Sequence, residues 1–298
     1  MNIEELEKLR KKTKNILIFG IIISIIITAL VYYYFKNIAV LGISFTLSMI
    51  IIIIIYSGQK NKYVSLYKET FVLKALQSAF NNLIYKQDRG ISRDTIRNTG
   101  MINMGDRYSS NDYISGNYKG VNFIQSDIHI EERHETTDND GHRTTTYITL
   151  FMGRWMVFDF NKTFKANVQV CQKGFWNAKR GNWYDNIKYK KVEMEDEAFN
   201  KNFSTFAQNE HDAFYILTPS LMEKIKKLSN DIRGSLLFCF IDNKLHIGIN
   251  NNEDSFECSI FKKIDVEKIM NDITKDIKLI TDFIDELSLD NDLFRGEV

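Results

Sequence analysis

Two apolar runs with only two residues between them limit what this chain can fold into more than any other feature. Residues 16–35, ILIFGIIISIIITALVYYYF, carry no charge, and neither do residues 38–56, IAVLGISFTLSMIIIIIIY. About twenty helical residues rise about 30 Å, the thickness of a bilayer's hydrocarbon core. Lys36 and Asn37 alone separate the runs, which predicts a tight transmembrane helical hairpin over 15–57. Both runs are apolar all round, whereas the core helix of a soluble domain carries an apolar stripe. A cleavable signal peptide would have a shorter apolar region ending in small residues. Here the first run ends in Tyr32, Tyr33, Tyr34 and Phe35, residues suited to an interfacial belt. Gly20, Ser24, Gly42, Ser44 and Ser48 are small enough to let two backbones approach closely.

Orientation follows from the basic residues. Lys8, Arg10, Lys11, Lys12 and Lys14 precede the hairpin, Lys36 stands at its tip, and Lys60, Lys62, Lys68 and Lys74 follow it. The positive-inside rule then places both termini in the cytoplasm and the chain in the plasma (inner) membrane as a multi-pass protein. Residues 1–14 form a basic cytoplasmic N-terminus, and 58–298 form one cytoplasmic domain. Cys171, Cys239 and Cys258 form no paired motif, which suits free thiols in that compartment. The sequons at 161–163 and 202–204 would be accidental there.

The cytoplasmic part reads as α+β, with a mainly antiparallel sheet and flanking amphipathic helices. Val64, Tyr67, Phe71, Ala75, Leu76, Ala79, Phe80, Leu83 and Ile84 recur at helical steps and predict a helix over 60–86. Residues 87–107 read as loop with short structure. From 108 to 174 short β-branched or aromatic runs alternate with Gly116, Gly120, Gly141 and Gly153, which predicts several strands. Asp138 to Gly141 should turn between two long strands, and 155–160 (WMVFDF) should be central. Residues 196–204 read as helix and Ala213 to Leu217 as strand. Thr218 caps a helix that starts at Pro219. Leu236–Ile241 and Leu245–Ile249 form a hairpin across Asp242-Asn243. Val266, Ile269, Met270, Ile273, Ile277, Ile280, Ile284 and Leu287 make one stripe of a final helix over 265–287.

Several stretches resemble a known family: YSSNDYISGNYKGVNFIQSDI (108–128), FMGRWMVFDFNKTF (151–164), FNKNFSTFAQNEHDAFYILTPSLMEKI (199–225), FIDNKLHIGI (240–249) and DIKLITDFIDELSL (276–289). They are similar to the bacterial membrane proteins grouped as domain of unknown function 3137. The resemblance implies two adjacent transmembrane helices before one α+β domain, and a bacterial source. It implies no activity and no site residues.

Chemistry is sparse. Motifs for phosphate-binding loops, dinucleotide folds, nucleophile elbows and zinc peptidases are absent. The densest polar cluster holds His129, His134 and His142, with Glu131, Glu132, Glu135, Asp138 and Asp140 among them. Histidine with carboxylate can bind a transition metal, so these three are the metal candidates. The bland alternative is a solvated hairpin tip. Cys239, within LLFCFI, should be a buried inert thiol, with Cys171 and Cys258 less buried. Trp176, Trp183 and Tyr184 lie among Lys173, Lys179, Arg180 and Lys188, a pattern suited to stacking on bases, to a membrane interface or to packing at a sheet edge.

Charge is graded. Residues 58–107 carry nine Lys/Arg against four Asp/Glu, and 108–298 carry 24 against 31. The whole chain, with 39 against 38, is not built to bind nucleic acid through bulk charge. The basic stretch suits an anionic leaflet, with Lys60, Lys62, Lys68 and Lys74 as its surface contacts. The reading that follows is a membrane-tethered cytoplasmic binding or scaffold module without a cofactor. Its partners are the bilayer, anionic headgroups, or another membrane or cytoplasmic protein. The alternative is an enzyme with a metal-assisted site near 129–142.

Overall fold

The computed structural model describes residues 3–138, 140–159, 167–175 and 189–289. By its contacts the chain divides into two compact units, Met1–Ala75 with Phe256–Thr274 and Leu76–Ser255 with Lys275–Val298. The helix is unbroken at residue 57, just past the end of the apolar run.

The first unit is built on two long helices, α1 (Ile3–Phe35) and α2 (Ile38–Tyr67). The basic residues from Lys8 to Lys14 lie on α1. Lys36 turns the chain at φ 47°, and the Asn37 side chain accepts from the Ala39 N–H to cap α2. Both helices are long and apolar enough to cross a membrane. Ser24 Oγ and Ser48 Oγ lie 2.5 Å apart, so this polar pair sits within the helix–helix seam. A Cβ on Gly20 would come within 2.8 Å of Ile52, so the glycine sets how closely the helices approach there. Gly42 has open space around it and is not part of that contact. Past Tyr67 the helix widens into one π turn, Lys68–Val72, before α3 (Leu73–Ala79).

The second unit contains, among the described residues, a nine-stranded sheet in the order β1-β2-β3-β4-β9-β8-β5-β7-β6. Its strands are β1 (Asn81–Lys86), β2 (Arg107–Tyr118), β3 (Val121–Thr137), β4 (Arg143–Asp159), β5 (Val168–Gln172), β6 (Lys190–Val192), β7 (Phe203–Ala207), β8 (Ser235–Ile241) and β9 (Lys244–Asn250). Every pairing between them is antiparallel. The helices are α4 (Arg93–Arg97), α5 (Glu197–Asn202), α6 (Glu210–Ile216), α7 (Pro219–Asp231) and α8 (Val266–Leu287), whose first nine residues are counted with the first unit. The fold is α+β with a mainly antiparallel sheet, as the residue pattern predicts.

Alternation along the strands makes two apolar faces. On one, Ile128, Ile130, Trp155, Val157, Leu237 and Cys239 pack with Ile91, Ile96 and Met101 from the segment after β1. On the other, Phe123 meets Phe80 and Phe158, and Phe158 meets Phe283 of α8.

Three local expectations change. Residues 81–86 are strand and not the end of a helix, because Asn82 sits at φ 50° and the alternating side chains then pair with β2. Gly153 does not break a strand. β4 runs through it at φ 148°, where a Cβ would strike the Ile249 carbonyl oxygen. Residues 213–217 are not a strand. They fall mostly in α6, whose N-cap Asn209 accepts from the His211 N–H and whose first turn carries Glu210 and Asp212. The strand lies just before, at Phe203–Ala207. The Thr218 cap, Pro219 start, Asp242-Asn243 hairpin and final helix are found as read from sequence.

Candidate functional site

A bulge in β2 brings three carboxylates together in the second unit. Asn111 pairs with Asp127 and Ile114 with Gln125, so β2 uses three steps where β3 uses two. The residue that takes up the slack is Asp112, at φ 52°. Asp tolerates this left-handed conformation better than most residues. Ligand atoms of Asp112, Asp127 and Asp254 lie within 4.8 Å of one another. Asp112 and Asp127 are buried and Asp254 is partly exposed.

Each buried carboxylate has donors. Tyr85 Oη donates to Asp112 at 2.5 Å, and Asn111 Nδ2 donates to the same carboxylate at 3.0 Å. Ser255 donates to Asp127 through its backbone N–H at 2.8 Å and its hydroxyl at 2.7 Å. Burial raises the Asp127 carboxyl well above the usual carboxylate range. The cationic Arg154, its cross-strand partner, opposes that rise, and a hydrogen bond with Asp254 adds to it. Burial and the Asp112 charge together push the Tyr85 phenol upward as well. Chemically the group can share a proton between Asp127 and Asp254, or offer oxygen ligands to a hard cation. Its sequence signals were faint: an Asn-Asp pair inside a strand pattern, and a second acid after Gln125-Ser126 in the next strand.

The metal candidates read from the sequence are not assembled into one ligand set. His129 Nε2 lies 3.2 Å from Thr149 Oγ1, while His134 Nε2 lies 3.1 Å from Glu132. His129 and His134 are five residues apart on β3, which puts them on opposite faces of the strand. His142 is exposed beside the turn. The described residues that do converge as possible ligands are the three aspartates.

Among the proposed surface lysines, Lys60, Lys62 and Lys74 are exposed, but Lys68 is buried where the helix widens. Cys239 is buried as expected, and burial raises its thiol. Cys171 is buried too, against expectation, because β5 lies between β7 and β8, away from the sheet edge. Trp176, Trp183, Tyr184, Lys179, Arg180 and Lys188 lie outside the described residues.

A cavity of about 360 Å³ opens on the β5–β7–β6 face, lined by Gln169, Cys171, Ser204, Phe206, Lys191 and Phe175 among others. Gln169 Nε2 donates to the Thr99 carbonyl at 2.6 Å. Its Oε1 is buried and accepts no hydrogen bond from the described residues. A buried acceptor without a donor is costly, so this amide suits a ligand that brings an N–H or O–H.

Residues 149–289, from β4 to the end of α8, match the family model described as "Protein of unknown function (DUF3137)". No curated protein matches the sequence. The crystal structure of the mycobacterial trehalose monomycolate transport factor A, TtfA, is similar over 75% of this chain and 95% of that chain, at 7% identity. Its TM-score of 0.36 is too low to establish a shared fold. The match over 149–289 supports the DUF3137 family for this chain and carries no assigned activity with it.

Proposed function

We propose that this chain is a bacterial member of the DUF3137 family that acts as a membrane-tethered cytoplasmic binding module. The observation that carries the reading is the two-residue link between α1 and α2. Two helices of this length and apolarity, joined so closely, cross a bilayer together and return the chain to its starting side. Lys8, Lys11, Lys12, Lys60 and Lys62 gather at the open end, and Lys36 alone marks the closed end. The positive-inside rule then puts the open end in the cytoplasm. Tyr33 and Tyr34, 79% and 82% exposed beside Lys36, suit the outer interface.

Thiol labelling in intact cells tests this. The native cysteines all lie on the cytoplasmic side in this reading, so the wild type gives the background. Lys36→Cys should react with a membrane-impermeant reagent. Lys11→Cys and Lys244→Cys should react only after lysis. Labelling of Lys244→Cys from outside would reverse the orientation, and failure of all three before lysis would remove the spanning hairpin.

A second reading is favoured by the unmatched Gln169 acceptor: the module binds a small polar ligand in the β5–β7–β6 cavity. Polar extracts of the source membranes should then raise the melting temperature of wild type but not of Gln169→Leu.

A further inference from the structure

The first unit has a polar clasp that brings a distant part of the sequence to the base of the hairpin. Arg10 Nη1 donates to the Ile260 carbonyl at 2.6 Å, and the guanidinium is also paired with Glu7 at 2.7 Å. The Glu7 carboxylate accepts from the backbone N–H of Ile264. The chain therefore crosses α1 near Arg10 at residue 260 and near Glu7 at residue 264. Glu7 lies further from the apolar run than Arg10, so Ile260 and Phe261 stand at the end of this crossing nearer the run.

The level of that crossing can be placed. Arg10 precedes Ile16 by six residues, about 9 Å along the helix. The Gly20–Ile52 and Ser24–Ser48 contacts fix an antiparallel register that sets Arg10 beside Tyr63. Tyr63 is buried and lies seven residues beyond Tyr56, about 10 Å. Both helices thus put the crossing just below the edge of the apolar runs. A headgroup layer is about 5 to 8 Å deep on each side of the hydrocarbon core, within reach of a Phe or Lys side chain from there.

Residues at this level have the chemistry of an interface. Ile260 is buried, but Phe261 is 59% exposed. Lys262 and Lys263 follow it and are also exposed. The stretch 259–264, SIFKKI, carries two positive charges and no acid. Exposed Lys11, Lys12, Lys60 and Lys62 stand on the same end of α1 and α2. An apolar ring flanked by lysines within a basic collar is complementary to anionic lipid, where each lysine near the surface is attracted and the ring can enter the acyl boundary.

We propose that Phe261, Lys262 and Lys263 form a second membrane contact, in which the ring enters the interface of the anionic leaflet beneath the hairpin and the two lysines bind its headgroups. The contact rests on the spanning reading of α1 and α2 and adds to it a partner for a segment some 200 residues further along the chain. It would hold the start of α8 at the membrane surface.

Tryptophan quenching in the full chain tests it, with the protein reconstituted in vesicles whose lipids are brominated near the headgroup end of the acyl chains. Phe261→Trp adds a fluorophore whose signal is taken as the difference from wild type. In phosphatidylcholine–phosphatidylglycerol vesicles that added emission should shift to the blue and lose intensity to bromine. Replacing both lysines, Lys262→Gln with Lys263→Gln, on this background should reduce the quenching to its level in pure phosphatidylcholine. Ile22→Trp, within α1, reports the hairpin itself. If Ile22→Trp is quenched and Phe261→Trp is not, the lipid contact is wrong while the hairpin stands. If Ile22→Trp escapes quenching, the spanning reading fails and the contact fails with it. Quenching of Phe261→Trp that ignores both lipid charge and the lysine changes overturns the headgroup role of Lys262 and Lys263.

Discussion

The indole Nε1–H of Trp155 donates to Nδ1 of His246 at 3.3 Å, inside the sheet core and between neighbouring strands β4 and β9. Both side chains are buried. Because Nδ1 accepts, the neutral imidazole carries its proton on Nε2. Burial, aided by the charge of Lys244, lowers the imidazole pKa to about 4.

This pair makes stability depend on acid. The unfolded imidazole takes up a proton below about pH 6.5, whereas the folded one resists until about 4. Between these values the unfolded chain binds more protons, so stability is full above 6.5 and falls as pH drops through that window. The span corresponds to about 3 kcal/mol at most. His246→Gln keeps an acceptor for Trp155 and cannot titrate. Urea unfolding of the detergent-solubilised chain at pH 7 and pH 4.5 should show a smaller loss for His246→Gln than for wild type. An unchanged loss would mean that His246 is already charged in the folded state.

Asp127 should act with the opposite sign. Its folded carboxyl stays protonated above the ordinary range, chiefly through burial. Above about pH 3.9 the unfolded carboxyl releases its proton while the folded one keeps it. Stability therefore falls as pH rises from there through the raised folded value. Asp127→Asn removes that dependence and can still accept from the Ser255 N–H, so the variant should be more stable than wild type at pH 7.5. A clear loss at pH 7.5 would mean that an ionised Asp127 is required, as it would be if Asp112, Asp127 and Asp254 hold a cation.

What was legible in the sequence was what one local signal could settle. Charge-free length gave α1 and α2, a stripe gave α8, and Thr218-Pro219 gave the start of α7, because each depends on residues close together in the chain. The aspartate cluster was not legible. It needs the bulge at Asp112, the register of β3 and the chain's return at Asp254, and no short window contains all three. AFYIL misled because its apolar residues suit strand or helix, and the cap at Asn209 decided for helix. The lysines at 60, 62, 68 and 74 look equivalent in sequence, yet the π turn buries only Lys68. The clasp between Arg10 and Ile260 joins residues 250 apart, and nothing local announces it.

The stripe of α8 should behave as core. Ile273 and Ile280 are both buried, while Met270 is 37% exposed. Truncating either isoleucine to alanine should cost about 2 to 5 kcal/mol, from lost transfer energy and the cavity left behind. Met270→Ala should cost less. Chemical unfolding of the full chain in detergent measures all three. Equal small losses would mean that the stripe is not packed.

Arg154 gives the last prediction, because its charge serves two carboxylates. It lies on β4, nearly buried, and is ion-paired with Asp276 of α8. It also donates to the Asp276 backbone carbonyl at 3.2 Å, and it faces Asp127 across the β3–β4 ladder. Removing one partner of a buried pair costs about 3 to 5 kcal/mol, since the remaining charge is stranded. Asp276→Ala should cost less, about 1 to 3 kcal/mol, because Asp276 keeps some solvent contact and Arg154 can turn to Asp127. Turning to Asp127 would favour its ionised form, so Asp276→Ala should also flatten the loss of stability with rising pH that protonated Asp127 causes. Asp276→Ala combined with Asp127→Asn has no carboxylate to turn to, and should lose more stability than the two single changes predict together. Strict additivity of the two would show that Arg154 serves Asp276 alone.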